Sequence, residues 1–297
     1  MRYKISLILI MLMTCLQSQT LSQGTFPQNE KRGTIDLEYR ALQPGEIIKV
    51  VLKGGPPSKL AQIHFLGRKI YMAGEDEHPE RTAFLGLDLE LAAGQYALDV
   101  VVAYEDGTLG HFKKNILVEK KEFPERKLWV NEKYVTPPAQ FHERIRRESA
   151  LMGEIYEMFT PRWLGEGEFI TPCDGDVHDN FGERRIFNNK PRSPHSGLDI
   201  SAPSGTPVRA SNSGRIVLAS ELYFAGKTVI IDHGLGVFSL YCHFSRMLGK
   251  RGASVIKGEI IGEVGATGRV TGPHLHWGVK VLGNRVDPQS LLILVSE

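Results

Sequence analysis

The sequence predicts an all-β protein with one connecting helix, and three observations carry that prediction. Short runs of β-branched and aromatic residues alternate with Gly-, Pro- and Asp-containing turns from about residue 33 to 120, and again from 166 onward. Between these regions a single stretch, Phe141 to Phe159, sets apolar side chains near helical spacing. With 297 residues, 41% of them hydrophobic and 24% charged, there is material for two domains with sizeable cores.

At the start, Arg2 and Lys4 precede the apolar run 5–13 and small polar residues follow it, which is the layout of a secretory signal peptide over 1–24. The run is too short to span a bilayer. Cys15 follows Leu12-Met13-Thr14, a weak lipoprotein pattern in which Thr14 fits poorly, so export to the periplasm or cell envelope is expected, with a lipid anchor the lesser alternative. No later stretch is apolar enough to cross a membrane, so the mature chain is expected to lack a transmembrane segment.

Residues 25–122 predict a small antiparallel β-sandwich of immunoglobulin-like architecture. Strand-like runs at 46–52, 61–66, 81–87 and 95–102 are separated by turn signals such as Gly54-Gly55-Pro56-Pro57 and Glu105-Asp106-Gly107. The basic run from Lys113-Lys114 to Arg126-Lys127 reads as a solvated strand edge and linker. A formal net charge of +2 and the lack of a concentrated basic face exclude nucleic acid as a principal partner.

Residues 123–165 form a linker with an amphipathic helix that Pro161 stops. His142-Glu143-Arg144-Ile145-Arg146 begins like the zinc-peptidase motif HExxH, but arginine in fifth place cannot ligate.

The last region, 166–297, holds strand patterns at 215–219, 228–231, 237–241, 259–264 and 276–281, consistent with a sheet carrying a groove. It also concentrates His195, Asp199, His243, His274 and His276 in short segments flanked by glycine and proline. Two imidazoles and a carboxylate can hold Zn²⁺ and leave one corner open, and spare imidazoles beside such a site can move protons. Strand alternation puts His274 and His276 on one face with Leu275 in the core. The same rule puts Tyr241 and His243 on one face and turns Cys242 the other way, into the core. Once the signal is removed only Cys173 and Cys242 remain, and free buried thiols are expected. His233 is read as a hydrogen-bonded structural residue or a groove-wall residue, and His178 as one without ligand-type partners.

Over residues 166 to 290 the chain resembles the lysostaphin-like, or LytM-type, zinc peptidases that cut peptidoglycan peptides. The resemblance is carried by Asn180-Phe181-Gly182-Glu183-Arg184-Arg185, His195-Ser196-Gly197-Leu198-Asp199-Ile200, Ala202-Pro203-Ser204-Gly205-Thr206-Pro207-Val208, Tyr241-Cys242-His243-Phe244, and Gly265-Ala266-Thr267-Gly268 through His274-Leu275-His276. It implies an antiparallel sheet groove of the lysostaphin type, a duplicated hybrid motif, binding one Zn²⁺ through His195, Asp199 and His276. It also implies that His243 and His274 are the non-ligand catalytic histidines. Phe244 and Trp277 depart mildly from the usual residues. The expected activity is that of an exported metalloendopeptidase hydrolysing peptidoglycan cross-links, D-alanyl ones by analogy, with the sandwich able to contact the groove. The alternative is a non-catalytic wall-binding protein that activates a partner amidase.

Overall fold

The computed structural model describes residues 22–25, 32–74 and 80–293, and the signal-peptide region with Cys15 lies outside them apart from the strand Ser22–Thr25. Two four-stranded antiparallel sheets come first. One runs in the order Ser22–Thr25, Thr34–Tyr39, Ile47–Lys53, Arg81–Gly86, the other in the order Arg68–Tyr71, Ser58–Phe65, Gly94–Tyr104, Leu109–Val118. Their inner faces share one core that includes Ile35, Val50, Ile63, Leu85, Val100 and Ile116. Each such aliphatic side chain contributes about 1.5–3 kcal/mol by leaving water. Leu109–Val118 is an edge strand: Phe112, Ile116 and Val118 point inward while His111, Lys113 and Asn115 stay exposed. Charge on an edge opposes pairing with other chains.

The larger sheet follows, in the order Asp176–His178, Gly197–Ser201, Leu275–Val281, Val237–Phe244, Gly226–Asp232, Gly214–Leu222, Ser254–Val255, with Asn284–Val286 also pairing to Leu275–Val281. Every pairing in it is antiparallel. The sandwich docks beside Asn284–Val286. Ile47, Phe84 and Leu89 join the core of the larger sheet, Arg40 bridges Glu46 at 2.6 Å and Asp287 at 2.5 Å, and Arg285 reaches Asp88 at 2.6 Å.

The helix is His142–Glu157, led in by a 3₁₀ turn at Ala139–Phe141. Ile155 and Tyr156 pack on Val217, Leu222, Ile230 and Phe238 of the larger sheet with Leu151 and Met152 half-buried beside them, so the C-terminal part of its apolar stripe is covered within the chain. It ends two residues before the expected Phe159, because Met158 is already extended and Thr160 is held by hydrogen bonds to Asp232 and from the Leu235 N–H. Pro161 in turn disfavours a helical conformation at Thr160.

Within the stretch expected to be linker, Glu125–Leu128 forms a parallel strand beside Arg184–Phe187, and Asn188 bonds the main chain of Val130 in both directions. This basic segment is therefore a fixed wall next to the groove. No helix among the described residues is long and apolar enough to cross a membrane.

Candidate active site

One row of residues crosses the larger sheet. His178 stands opposite Asp199, Asp199 opposite His276, and His276 opposite Cys242. Directly opposed residues on antiparallel strands share a face, so this register alone sets Asp199 and His276 side by side. His195 arrives from the loop just before Gly197–Ser201. Gly197 makes room for the His276 ring and its strand: a Cβ there would lie 2.5 Å from the Trp277 carbonyl oxygen and 2.8 Å from Cε1 of His276.

The three donor atoms converge. His195 Nε2 is 2.8 Å from His276 Nδ1, and each is 3.1 Å from Asp199 Oδ1. Ligands about 2.0–2.1 Å from a tetrahedral zinc ion stand roughly 3.3 Å apart, so the spacing and the donor chemistry fit such an ion. The outer atoms are pinned as well. His195 Nδ1 donates to the Asn180 carbonyl at 2.9 Å, which leaves Nε2 as the free lone pair. Asp199 Oδ2 accepts from Arg185 Nη2 at 2.6 Å and from Asn180 Nδ2 at 3.0 Å. Burial alone would raise the Asp199 pKa, but the polar contacts of the cluster outweigh it and hold the carboxyl well below the usual range.

His243 and His274 flank this cluster, their rings 4.9 Å apart, with His243 6.1 Å from His276. His243 Nδ1 donates to the Thr267 carbonyl at 2.8 Å and His274 Nδ1 to the Gly272 carbonyl at 2.9 Å, so each carries its free lone pair on Nε2. His274 Nε2 lies 3.7 Å from Asp199 Oδ1. Burial, helped by the neighbouring His274 and His276, pushes the His243 pKa down to about 3, and burial also lowers those of His274 and His276. All three are therefore neutral near pH 7.

The expected alternation along Val237–Phe244 fails at one point. Cys242 and His243 together oppose Thr228 in a bulge, and His243 takes a left-handed φ of 69°. Such a bulge re-aims a side chain. It swings His243 to the face that Cys242 already occupies, so Cys242 is buried beside His276 rather than in the opposite core, where Tyr241 bonds Ser211 and Ser239. Among the described residues Cys173 and Cys242 are free and buried. His233 is fully buried between the Ser213 carbonyl and the Ser239 hydroxyl and plays the structural part.

Residues outside the expected ligand and catalytic set also reach the site. Asn180 and Arg185 orient Asp199; beside a turn Arg185 reads from sequence as solvated, paired with a carboxylate or in contact with an anionic substrate, and the carboxylate it meets is Asp199, while Asn180 had no signal beyond the string Asn180 to Arg185. His178 lines the groove beside Asp199 and shares a hydrogen bond with the Ser201 hydroxyl at 2.8 Å. The groove has two halves of about 250 and 260 Å³, and its lining residues all fall between Arg126 and His276.

Residues 193–288 match the sequence model of Peptidase family M23. A crystal structure from Pseudomonas aeruginosa described as peptidase M23 superposes with a TM-score of 0.64 at 30% identity, covering 86% of this chain and 96% of that one. Peptidoglycan DD-endopeptidase ShyA of Vibrio cholerae is 42% identical over 112 residues, which is 37% of this chain and 26% of that protein. The DD-carboxypeptidase/endopeptidase Mpg of Neisseria meningitidis is 45% identical over 103 residues, 35% of this chain and 24% of that protein. The matched part of the chain thus spans about a quarter of the length of these curated relatives.

Proposed function

Because the chain belongs to Peptidase family M23, we propose that it is an exported zinc endopeptidase that hydrolyses amide bonds in peptidoglycan peptides, D-alanyl cross-links first among them. The observation that carries this reading is the meeting of three donor atoms within 3.1 Å of one another beside two neutral histidines whose Nε2 atoms are uncommitted. In this reading His195, Asp199 and His276 hold the ion. A zinc ion bound there supplies Lewis acidity, which polarises the substrate carbonyl and makes water nucleophilic near neutral pH.

The protein's own groups do the rest. His243 and His274 each present a lone pair on Nε2, so one accepts the attacking water's proton and, once protonated, can deliver it to the departing amine. The other takes up a solvent proton on Nε2 as negative charge develops beside it and donates that N–H to the oxyanion. The carbonyls of Thr267 and Gly272 keep both rings in the required tautomer. Arg185 and Asn180 hold Asp199 ionised and correctly turned. The groove, walled on one side by the strand Glu125–Leu128, suits an extended peptide. Export is supported by the signal-like start of the chain, and the wall substrate by the names of the relatives.

The test is digestion of isolated wall sacculi by the purified chain loaded with zinc, read by mass spectrometry of the released fragments. Cleavage of cross-links is expected, and loss of it with a chelator or in His276→Ala. A chain that binds zinc stoichiometrically yet releases no fragment, while stimulating a partner amidase, would refute the enzymatic reading.

A further inference from the structure

Among the described residues, Arg269 lines the groove with no hydrogen-bond or ion-pair partner for its guanidinium. It sits where the two halves of the groove meet, lining both together with Arg185, Phe187 and His243. Its guanidinium carbon lies 4.8 Å from the ring centre of Phe187 and 4.8 Å from that of Phe224. Its main-chain N–H donates to the Phe224 carbonyl at 2.8 Å, which fixes the turn that presents it. Contacts of this kind hold a guanidinium in place without using its N–H groups.

The charges around Arg269 are of its own sign. Arg185 and Arg192 are the nearest, and among the described residues no carboxylate pairs with it. Arg185 is spent on Asp199 at 2.6 Å, and Arg192 on the Val135 carbonyl at 2.5 Å. A half-buried cation with two cationic neighbours and, among the described residues, no paired anion carries a desolvation cost that the two ring contacts offset only in part. Burial, with the two neighbouring arginines, lowers its pKa to about 10, so it still carries its charge at neutral pH. A guanidinium matches a carboxylate through two parallel N–H···O bonds, and partial exclusion of water strengthens the match.

We infer that Arg269 recognises a carboxylate of the bound peptide, selecting substrates with a free carboxylate on a residue that flanks the cleaved amide. This rests on the peptidase reading above and narrows its substrate class. Glycine-bridge peptides, which carry no carboxylate within the chain, fall outside the selected class, as do peptides whose flanking carboxylate is amidated.

The test is calorimetric titration of the full zinc-loaded chain carrying His274→Ala, so that binding is read with turnover suppressed. One pair of probes is N-acetyl-D-alanyl-D-alanine and its carboxamide, which reads a terminal carboxylate. The other is a D-alanyl-diaminopimelate fragment with the carboxylate beside the amide either free or amidated, which reads an internal one. At least one acid is expected to bind tenfold or more tightly than its amide, and the pair that shows the difference identifies the source. Arg269→Gln should erase that preference, and Arg269→Lys, which keeps charge but loses the fork, should reduce it. Equal binding of acid and amide in both pairs overturns the inference, and so does a preference that survives in both variants. If the preference depends on Arg269 while the unsubstituted chain cleaves no wall, the hydrolase reading fails and carboxylate recognition stands.

Discussion

Arg185 holds Asp199 from behind: its Nη2 lies 2.6 Å from Oδ2 while Oδ1 faces His195 and His276 at 3.1 Å each. One carboxylate therefore has its two oxygens assigned to different tasks, one to orientation and one to the candidate metal position. Such outer contacts are commonly worth 10–100-fold in metal affinity. Arg185→Met should weaken zinc binding by about that factor with the fold intact, as measured by competition with a chromophoric chelator. Unchanged affinity would mean that Arg185 does not orient Asp199.

Gly197 leads to a second prediction. A methyl group there meets the Trp277 carbonyl oxygen at 2.5 Å and the His276 ring at 2.8 Å; the carbonyl cannot retreat without moving the strand Leu275–Val281, and the ring yields only by turning away from its place beside Asp199. Overpacking of this kind costs about 1–3 kcal/mol. Gly197→Ala should lower the denaturant midpoint by an amount in that range and also weaken zinc binding, because the displaced group is a ligand candidate. A stability loss with unaltered zinc affinity would show that the His276 ring is not what yields.

The two flanking histidines separate metal binding from proton transfer. His243→Ala and His274→Ala should each keep one zinc per chain by elemental analysis while cross-link cleavage falls by about 10²–10⁴-fold, the usual contribution of a positioned acid or base. His276→Ala should lose the zinc itself. If His274→Ala also loses the ion, then His274, whose Nε2 is 3.7 Å from Asp199 Oδ1, belongs to the ligand set and the roles must be redrawn.

What could be read from the sequence divides between chemistry and placement. His195, Asp199, His274 and His276 stand in short motifs whose residue types suit a metal site, whereas the meeting of His276 with Asp199 and His195 across 77 and 81 residues was implied only by the family resemblance. The reach of Asn180 and Arg185 to Asp199 spans 19 and 14 residues through a loop, and no periodicity encodes it. The turn of His243 onto the site depends on a bulge against Thr228, a property of strand pairing rather than of the run 237–244. Glu125–Leu128 looks like linker because it is charged and short, and only its parallel partner, Arg184–Phe187, makes it a strand. The same limit hid Arg269, whose lack of a carboxylate partner becomes visible only when its spatial neighbours are known.

His233 carries a prediction about stability and pH. It is fully buried, bonded to the Ser213 carbonyl and the Ser239 hydroxyl, and burial lowers its pKa from 6.5 to about 4. In the unfolded chain the imidazole protonates below about pH 6.5, whereas in the folded chain it stays neutral until about pH 4. Between those values the unfolded state binds more protons, so stability rises with pH. The contribution is complete above pH 6.5 and is lost on acidification, amounting at most to about 3 kcal/mol at 1.36 kcal/mol per pKa unit. Lowered His243, His274 and His276 pKa values act in the same direction in the metal-free chain. Urea unfolding from pH 7 to 4 should therefore show a falling midpoint, with a shallower slope in His233→Gln even though that variant starts less stable. An equal slope in the two proteins would place the acid sensitivity elsewhere, with the site histidines as the remaining source.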